Sequence, residues 1–191
     1  MTFSFDPESH TYTLDGRTLL SVTSILKEAG MLVYPSGMQD AMMRGRYVHS
    51  ATEMIDRGTL DWELLDDTLL PYCTAYQKFL LDKNPEILLS EKPMYHAGHL
   101  FAGTPDRIIL MDGITSLIDL KSGTPHPATA LQLAAYKEMI RVSEDIHCAK
   151  CFSLHLRDDG TYRLDEMKNL KTNYNLFLAA LAVVRWKKEN L

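Results

Sequence analysis

The alternation of apolar and polar positions along this 191-residue chain changes period several times, and each change marks an element. From His10 to Leu20 the two kinds of residue alternate on either side of Asp15-Gly16, which predicts a β-hairpin with a two-residue turn. Ser21-Val-Thr-Ser-Ile-Leu-Lys-Glu-Ala-Gly30 then reads as a short helix with a hydroxyl cap at its start and Gly30 past its end. Helical spacing continues from about Met38 to Arg57, where Gly58 stops it, and from Leu64 to Asp82 with a break near Pro71. From Ile87 the pattern changes from helices to strands. Strands are expected over Ile87–Tyr95, Leu100–Met111 and Ile114–Lys121 as a three-strand meander, with a tight turn at Asp112-Gly113. The loop Ser122-Gly-Thr-Pro-His-Pro127 leads into a helix from Ala128 to about Val142. Cys148–Arg157 and Thr161–Leu164 follow as strands turned by Asp158-Asp-Gly160, and a helix over Thr172–Lys188 closes the pattern.

A helix between strands requires a crossover, so the expected fold is α/β: a mixed central β-sheet flanked by helices. The length suits one domain over residues 1–191, with a hairpin and helices in 1–85 and the strand-rich part with its helices in 86–191. No repeat or linker interrupts it. Hydrophobic content of 46% and charged content of 24% are ordinary for a globular protein. The longest apolar run, Leu176 to Val184, is nine residues, too short for a membrane span. The first residues carry no basic-then-apolar signal, and three cysteines are an odd number, so a reduced, intracellular protein is expected.

Charge narrows the function classes. Twenty Lys and Arg against 25 Asp and Glu leave a net charge of −5, which counts against a protein that merely coats nucleic acid. It counts less against an enzyme whose carboxylates are neutralised by bound cations. Arg44/Arg46, Lys150/Arg157 and the tail Arg185-Trp-Lys-Lys188 are the local basic patches.

Candidate chemistry centres on Asp106, in Gly103-Thr-Pro-Asp106, and on Leu117-Ile-Asp119-Leu-Lys121. In a strand, Asp119 and Lys121 point to one face while Ile118 and Leu120 point to the other. An ionised carboxylate among apolar neighbours is costly unless a cation holds it. Two carboxylates with a lysine form a site for a hard divalent ion next to a group that can orient water or offset charge on phosphorus. His49 and Glu53 lie four apart on a predicted helix, as do Gln132 and Tyr136, so each pair shares a face. Either pair could equally be a surface pair or simple packing.

The order His49, Gly103-x-x-Asp106, Asp119-Leu-Lys121, Gln132-x-x-x-Tyr136 resembles the RecB-like branch of the PD-(D/E)XK nuclease superfamily. The opening His10-x-Tyr12, Gly16, Ser21-Val-Thr and the late Leu154-His-Leu-Arg-Asp-Asp-Gly-Thr-Tyr162 are similar to small phage exonuclease-type members. The resemblance implies a restriction-endonuclease-like core and a DNA exonuclease using Mg²⁺ or Mn²⁺. It implies His49, Asp106, Asp119 and the Leu120 carbonyl as metal ligands, Lys121 as the catalytic lysine, and Gln132 and Tyr136 as its support. Glu91, expected at the start of a strand, and Glu53 are further acidic candidates. DNA is the implied partner, with a ring-forming homo-oligomer or a recombination or helicase partner, and phage origin with action in the host cell is implied too. The motif lysine follows Asp119 through Leu120 where Glu is more frequent, which leaves ligation intact. Only Cys73, Cys148 and Cys151 exist, one thiol short of the four that hold an iron–sulfur cluster in some relatives, so no cluster is expected. No Walker motif is present, so no ATP-driven motor is built in. A structure-selective or CRISPR-adaptation-like endonuclease, and a catalytically inert nucleic-acid-binding module, stay open as alternatives.

Overall fold

The computed structural model describes residues 1–33 and 39–191, and the expected helix start at Met38 lies outside the described residues. Among those described, two five-stranded mixed sheets are flanked by five helices. The first sheet begins with β1 (Phe3–Asp6), β2 (Thr11–Leu14) and β3 (Arg17–Ser21), all antiparallel. Asp15 and Gly16 both take positive φ (47° and 78°), the geometry a two-residue hairpin turn needs. β1, whose Phe3 and Phe5 alternate with polar residues, adds a strand that the hairpin pattern did not include.

Ser21 then caps α1 (Val22–Glu28) as expected. The Ser21 hydroxyl accepts from the Ser24 amide, and the Ser24 hydroxyl accepts from the Ser21 amide, each at 3.0 Å. Two orphan donors are satisfied this way, and such a cap is worth about 1 kcal/mol. α2 (Gln39–Asp56) ends just before Gly58, which takes a positive φ of 65°. α3 (Leu70–Lys83) starts six residues later than its apolar pattern suggested. Pro71 does not break this helix; it sits in the first turn, where its missing N–H has no intrahelical partner to lose. The residues before it form a turn in which Asp66 accepts from the amide and hydroxyl of Thr68.

The expected meander is corrected at two places. The run Ile87–Tyr95 is two strands, β4 (Glu86–Ser90) and β5 (Met94–His96), and Leu100–Met111 is also two, β6 (Phe101–Gly103) and β7 (Arg107–Met111). β5 and β6 complete the first sheet in the order β1-β2-β3-β6-β5; β4 and β7 belong to the second. The breaks have local causes. Glu91 takes a φ of 46°, which a strand cannot continue through, and Pro105 offers no amide to a ladder. Between β4 and β7 the chain therefore crosses from one sheet to the other and back, and the amide of Glu91 at the first of these crossings donates to the carbonyl of Asp106 at the second (2.9 Å).

The second sheet runs β10-β9-β8-β7-β4, with β8 (Ile114–Lys121), β9 (Lys150–Leu156) and β10 (Tyr162–Glu166). The β7–β8 hairpin turns at Asp112-Gly113 as read from the sequence, and α4 (Ala128–Glu144) makes the crossover that sets β8 and β9 parallel. α5 (Leu170–Asn190) packs on α1 and α4. Side chains of β8 divide by parity between two cores. Leu117 joins residues of α1, α4 and α5, while Ile118 and Leu120 join Val48, Tyr76 and Phe79 from α2 and α3. Asp119 lies on the Leu117 side, at the edge of that core.

Candidate functional site

The two crossings and the end of β8 meet at one place. Asp106 stands between β6 and β7 and is 7% exposed. Its Oδ2 accepts from the Leu120 amide at 2.6 Å, occupying the ladder position that opens where β7's pairing with β8 ends. A strand residue sends its N–H and C=O to the same side, so the Leu120 carbonyl also faces the Asp106 side of β8. Leu120 thus offers its backbone there while its side chain fills the second core.

His49, on α2, brings Nδ1 to 3.1 Å from Glu91 Oε1 and 3.6 Å from Asp106 Oδ1. His49, Glu91 and Asp106 each offer one ligand atom, all within 4.8 Å of one another, the spread a single cation can span. Burial alone would push the His49 imidazole down; the Asp106 and Glu91 carboxylates outweigh it and hold the ring at about 9. Burial pushes the Asp106 carboxyl up, opposed by His49, with Glu91 adding to the rise.

Asp119 is 1% exposed, and its Oδ2 lies 2.7 Å from Lys121 Nζ. Its Oδ1 is buried and accepts no hydrogen bond among the described residues. Burial raises this carboxyl too, against the pull of Lys121. An unsatisfied buried oxygen calls for a positive partner. The donor set of two or three carboxylates, one imidazole and a backbone carbonyl fits a hard divalent ion such as Mg²⁺ or Mn²⁺. Gln132 accepts from Lys121 Nζ through Oε1 at 3.5 Å. Tyr136, one turn along α4, is 5% exposed. Burial pushes its phenol up, opposed by a hydrogen bond from Gln132. A Cβ built on Gly103 would come within 2.6 Å of Tyr136 Cε1, so the glycine of Gly103-x-x-Asp106 makes room for this ring.

Glu53 does not join the group. Its Oε1 pairs with Arg57 Nη2 at 2.6 Å. Glu91 does join, although it lies just past the end of β4 in a left-handed conformation and not at a strand start.

Arg107 was not anticipated. It is 1% exposed and spreads its guanidinium over four partners. Nε donates to Asp56, Nη1 to Glu91 (3.1 Å) and to the Asp106 carbonyl (2.8 Å), and Nη2 to Thr52 (3.3 Å). Asp56 also accepts from the Tyr76 hydroxyl at 2.6 Å. One fork thus fixes Glu91 and the backbone of Asp106 against α2. The signal was present in α2, where His49, Thr52 and Asp56 fall at i, i+3 and i+7, a polar stripe on the buried face.

The basic patches are largely engaged elsewhere. Arg185 donates to the carbonyls of His99 and Leu100, Lys187 to that of Glu28, and Lys188 pairs with the Glu28 carboxylate. Arg44 lies over the Tyr72 ring. Cys73, Cys148 and Cys151 are buried free thiols. No described helix is long and apolar enough to cross a membrane.

No protein-family model matches the chain, and no curated protein matches it. Among solved structures it is similar to an alkaline exonuclease, LHK-Exo, from Laribacter hongkongensis, at 14% identity and a TM-score of 0.43, covering 90% of this chain and 92% of that one. The same exonuclease in complex with dAMP matches at 15% identity, with the same TM-score of 0.43 and the same coverage of 90% and 92%. SSO0001 matches at 17% identity and a TM-score of 0.35, covering 85% and 84%.

Proposed function

We propose that this chain is a divalent-metal-dependent DNA exonuclease of the RecB-like, phage-type branch of the PD-(D/E)XK superfamily. The observation that carries the proposal is the convergence of His49, Glu91 and Asp106 next to the buried, unsatisfied Asp119 oxygen and Lys121. His49, Asp106, Asp119 and the Leu120 carbonyl would hold Mg²⁺ or Mn²⁺, with Glu91 as a further ligand in place of Glu53, which pairs with Arg57. When bound, the ion supplies Lewis-acid chemistry at a phosphoryl oxygen.

The remaining work falls to the chain's own groups. Lys121 orients the attacking water and offsets negative charge that builds on the phosphoryl oxygens in the transition state. Gln132 steadies the Lys121 ammonium, and Tyr136 fixes the helix face that carries Gln132. Arg107 holds Glu91 and the Asp106 backbone in place. The reaction is hydrolysis: water forms a new P–O bond, the P–O bond to the leaving sugar oxygen breaks, and that oxygen takes up a proton. DNA is the substrate and partner; a ring-forming homo-oligomer or a recombination or helicase partner supplies the selection of ends, inside a phage-infected host cell.

Incubation of the purified protein with linear and covalently closed circular DNA, in Mg²⁺, Mn²⁺ or EDTA, tests the proposal. Loss of linear DNA only, dependent on metal, is the expected result. Nicking of circles points instead to a structure-selective or CRISPR-adaptation-like endonuclease, and binding without cutting in every condition points to an inert nucleic-acid-binding module.

A further inference from the structure

The face of β8 that carries Asp119 and Lys121 continues sideways as a polar strip. In the ladder with β9, Asp119 pairs with Ser153 and Lys121 with His155. In the next ladder His155 pairs with Arg163 and Ser153 with Asp165. Paired residues of adjacent strands share a face, so one band of polar side chains runs from the proposed catalytic lysine to the sheet edge, in strand steps of about 4.8 Å. The catalytic scheme uses none of the β9 and β10 groups.

Above this band lies a cavity of about 310 Å³, bounded by the Pro125-His126-Pro127 loop on one side and by Ser153, His155 and Asp165 on the other. Ser153 and His155 are 0% and 7% exposed. The Ser153 hydroxyl lies 3.1 Å from His155 Nε2, and Asp165 Oδ2 lies 3.5 Å from the same nitrogen. Because Ser153 and Asp165 meet one ring nitrogen, the group lacks the relay that would make Ser153 a nucleophile, in which the acid holds the opposite nitrogen. His155 Nδ1 is buried without a hydrogen-bond partner among the described residues. A buried polar atom at a cavity wall is a place where a ligand's hydrogen bond is missing.

The character of the walls selects the ligand. No lysine or arginine lines the cavity, and its one carboxylate, Asp165, already holds Arg163 (2.7 Å), so the walls offer a phosphate no cation. Pro125, Pro127 and the His126 and His155 rings give flat apolar surface, and Thr129, His155 Nδ1 and Asp165 give edge donors and acceptors. That combination suits a planar, neutral heterocycle with polar edges. His155 is one strand from Lys121 and in register with it, within reach of the base of a nucleotide whose phosphate lies at Lys121. Resting on the nuclease reading above, we infer that this cleft takes the unstacked base of a nucleotide next to the bond that is cut.

The test compares cleavage of single-stranded DNA carrying either a normal base or a tetrahydrofuran abasic residue at one or the other nucleotide flanking the cut bond. At one of these positions the wild-type protein is expected to cut the base-bearing strand about tenfold faster, the scale of one stacked base. Ala130, on the cavity wall, is a helical position that accepts a larger side chain, and Ala130→Leu is expected to bring the ratio of the two rates close to one. Ser153→Ala, which removes a single hydroxyl, is expected to lower the same ratio and serves if the first variant does not fold. Equal wild-type rates at both positions, or an unchanged ratio in the folded variants, would overturn the base cleft and leave the nuclease proposal standing. Absence of metal-dependent cleavage on every strand would overturn both.

Discussion

Asp119 carries the strongest conflict between stability and chemistry in the molecule. Its carboxyl is buried on a strand, and one oxygen accepts no hydrogen bond among the described residues. Burial raises its pKa in the folded state, so the folded protein holds that proton more tightly than the unfolded chain does. Stability without metal therefore falls as pH rises above the ordinary value of 3.8. Asp119→Asn is expected to lower cleavage by about 100-fold or more while raising the metal-free thermal midpoint at pH 8 by roughly 2–4 °C. Single-turnover cleavage and thermal unfolding in EDTA check both halves. His49 works in the same direction. Its raised value gives stability that is fully present below pH 6.5 and is lost as pH rises through about 9. A metal ligand must be neutral, so cation binding at His49 displaces this proton. Affinity for Mn²⁺ is thus expected to rise with pH by up to about tenfold per unit between about 6.5 and 9, with uptake of the released proton by the buffer. Titration calorimetry in two buffers of different ionisation enthalpy measures it; a pH-independent affinity would contradict the role given to His49.

At the scale of elements, the site is made by interruptions. Glu91 and Asp106 stand where strand runs leave one sheet for the other, and Arg107 ties both to α2. Replacing Arg107 with Met leaves the Asp56 and Glu91 carboxylates without their buried cation and is expected to cost about 3–5 kcal/mol. Adding Asp56→Asn should recover part of that loss, as read from denaturant unfolding of the single and double variants. Gly103→Ala sets a methyl against the Tyr136 ring and is expected to cost about 1–3 kcal/mol. In a Tyr136→Ala background the same change should cost little, and an equal cost in both backgrounds would deny the contact. These interruptions also explain what the sequence left hidden. Runs such as Ile87–Tyr95 read as one strand because both of their ends are apolar, while the change of sheet depends on the left-handed backbone at Glu91 and the missing amide at Pro105. By contrast the Asp112-Gly113 hairpin, the Ser21 cap and the α4 crossover were legible, since each is written in local turn, cap or period signals. Asp119 is conspicuous because a carboxylate among apolar strand neighbours is costly, Lys121 shares its face, and Asp106 is marked by the Gly103-Thr-Pro-Asp106 motif. Arg107 is not, because nothing in one strand's pattern reveals that Thr52, Asp56 and Glu91 will meet its guanidinium.

For the whole molecule, a net charge of −5 and a carboxylate-rich centre mean that, on the proposed function, a bound cation would both stabilise the fold and offset repulsion of a polyanionic substrate. Asp119 has given up its proton by about pH 6, and His49 goes on weakening the metal-free protein as pH rises from 6.5 through about 9, so the stabilisation given by Mg²⁺ or Mn²⁺ should grow across that range. Thermal scans across that range, with and without the ion, check the trend. The most direct measurement is an anomalous difference map from crystals grown with Mn²⁺. One strong peak is expected between the His49 ring and the carboxylates of Asp106 and Asp119, at metal–ligand distances of about 2.0–2.3 Å. A fully measured map with manganese elsewhere on the protein, and Asp119 still closed on Lys121, would contradict the proposed centre.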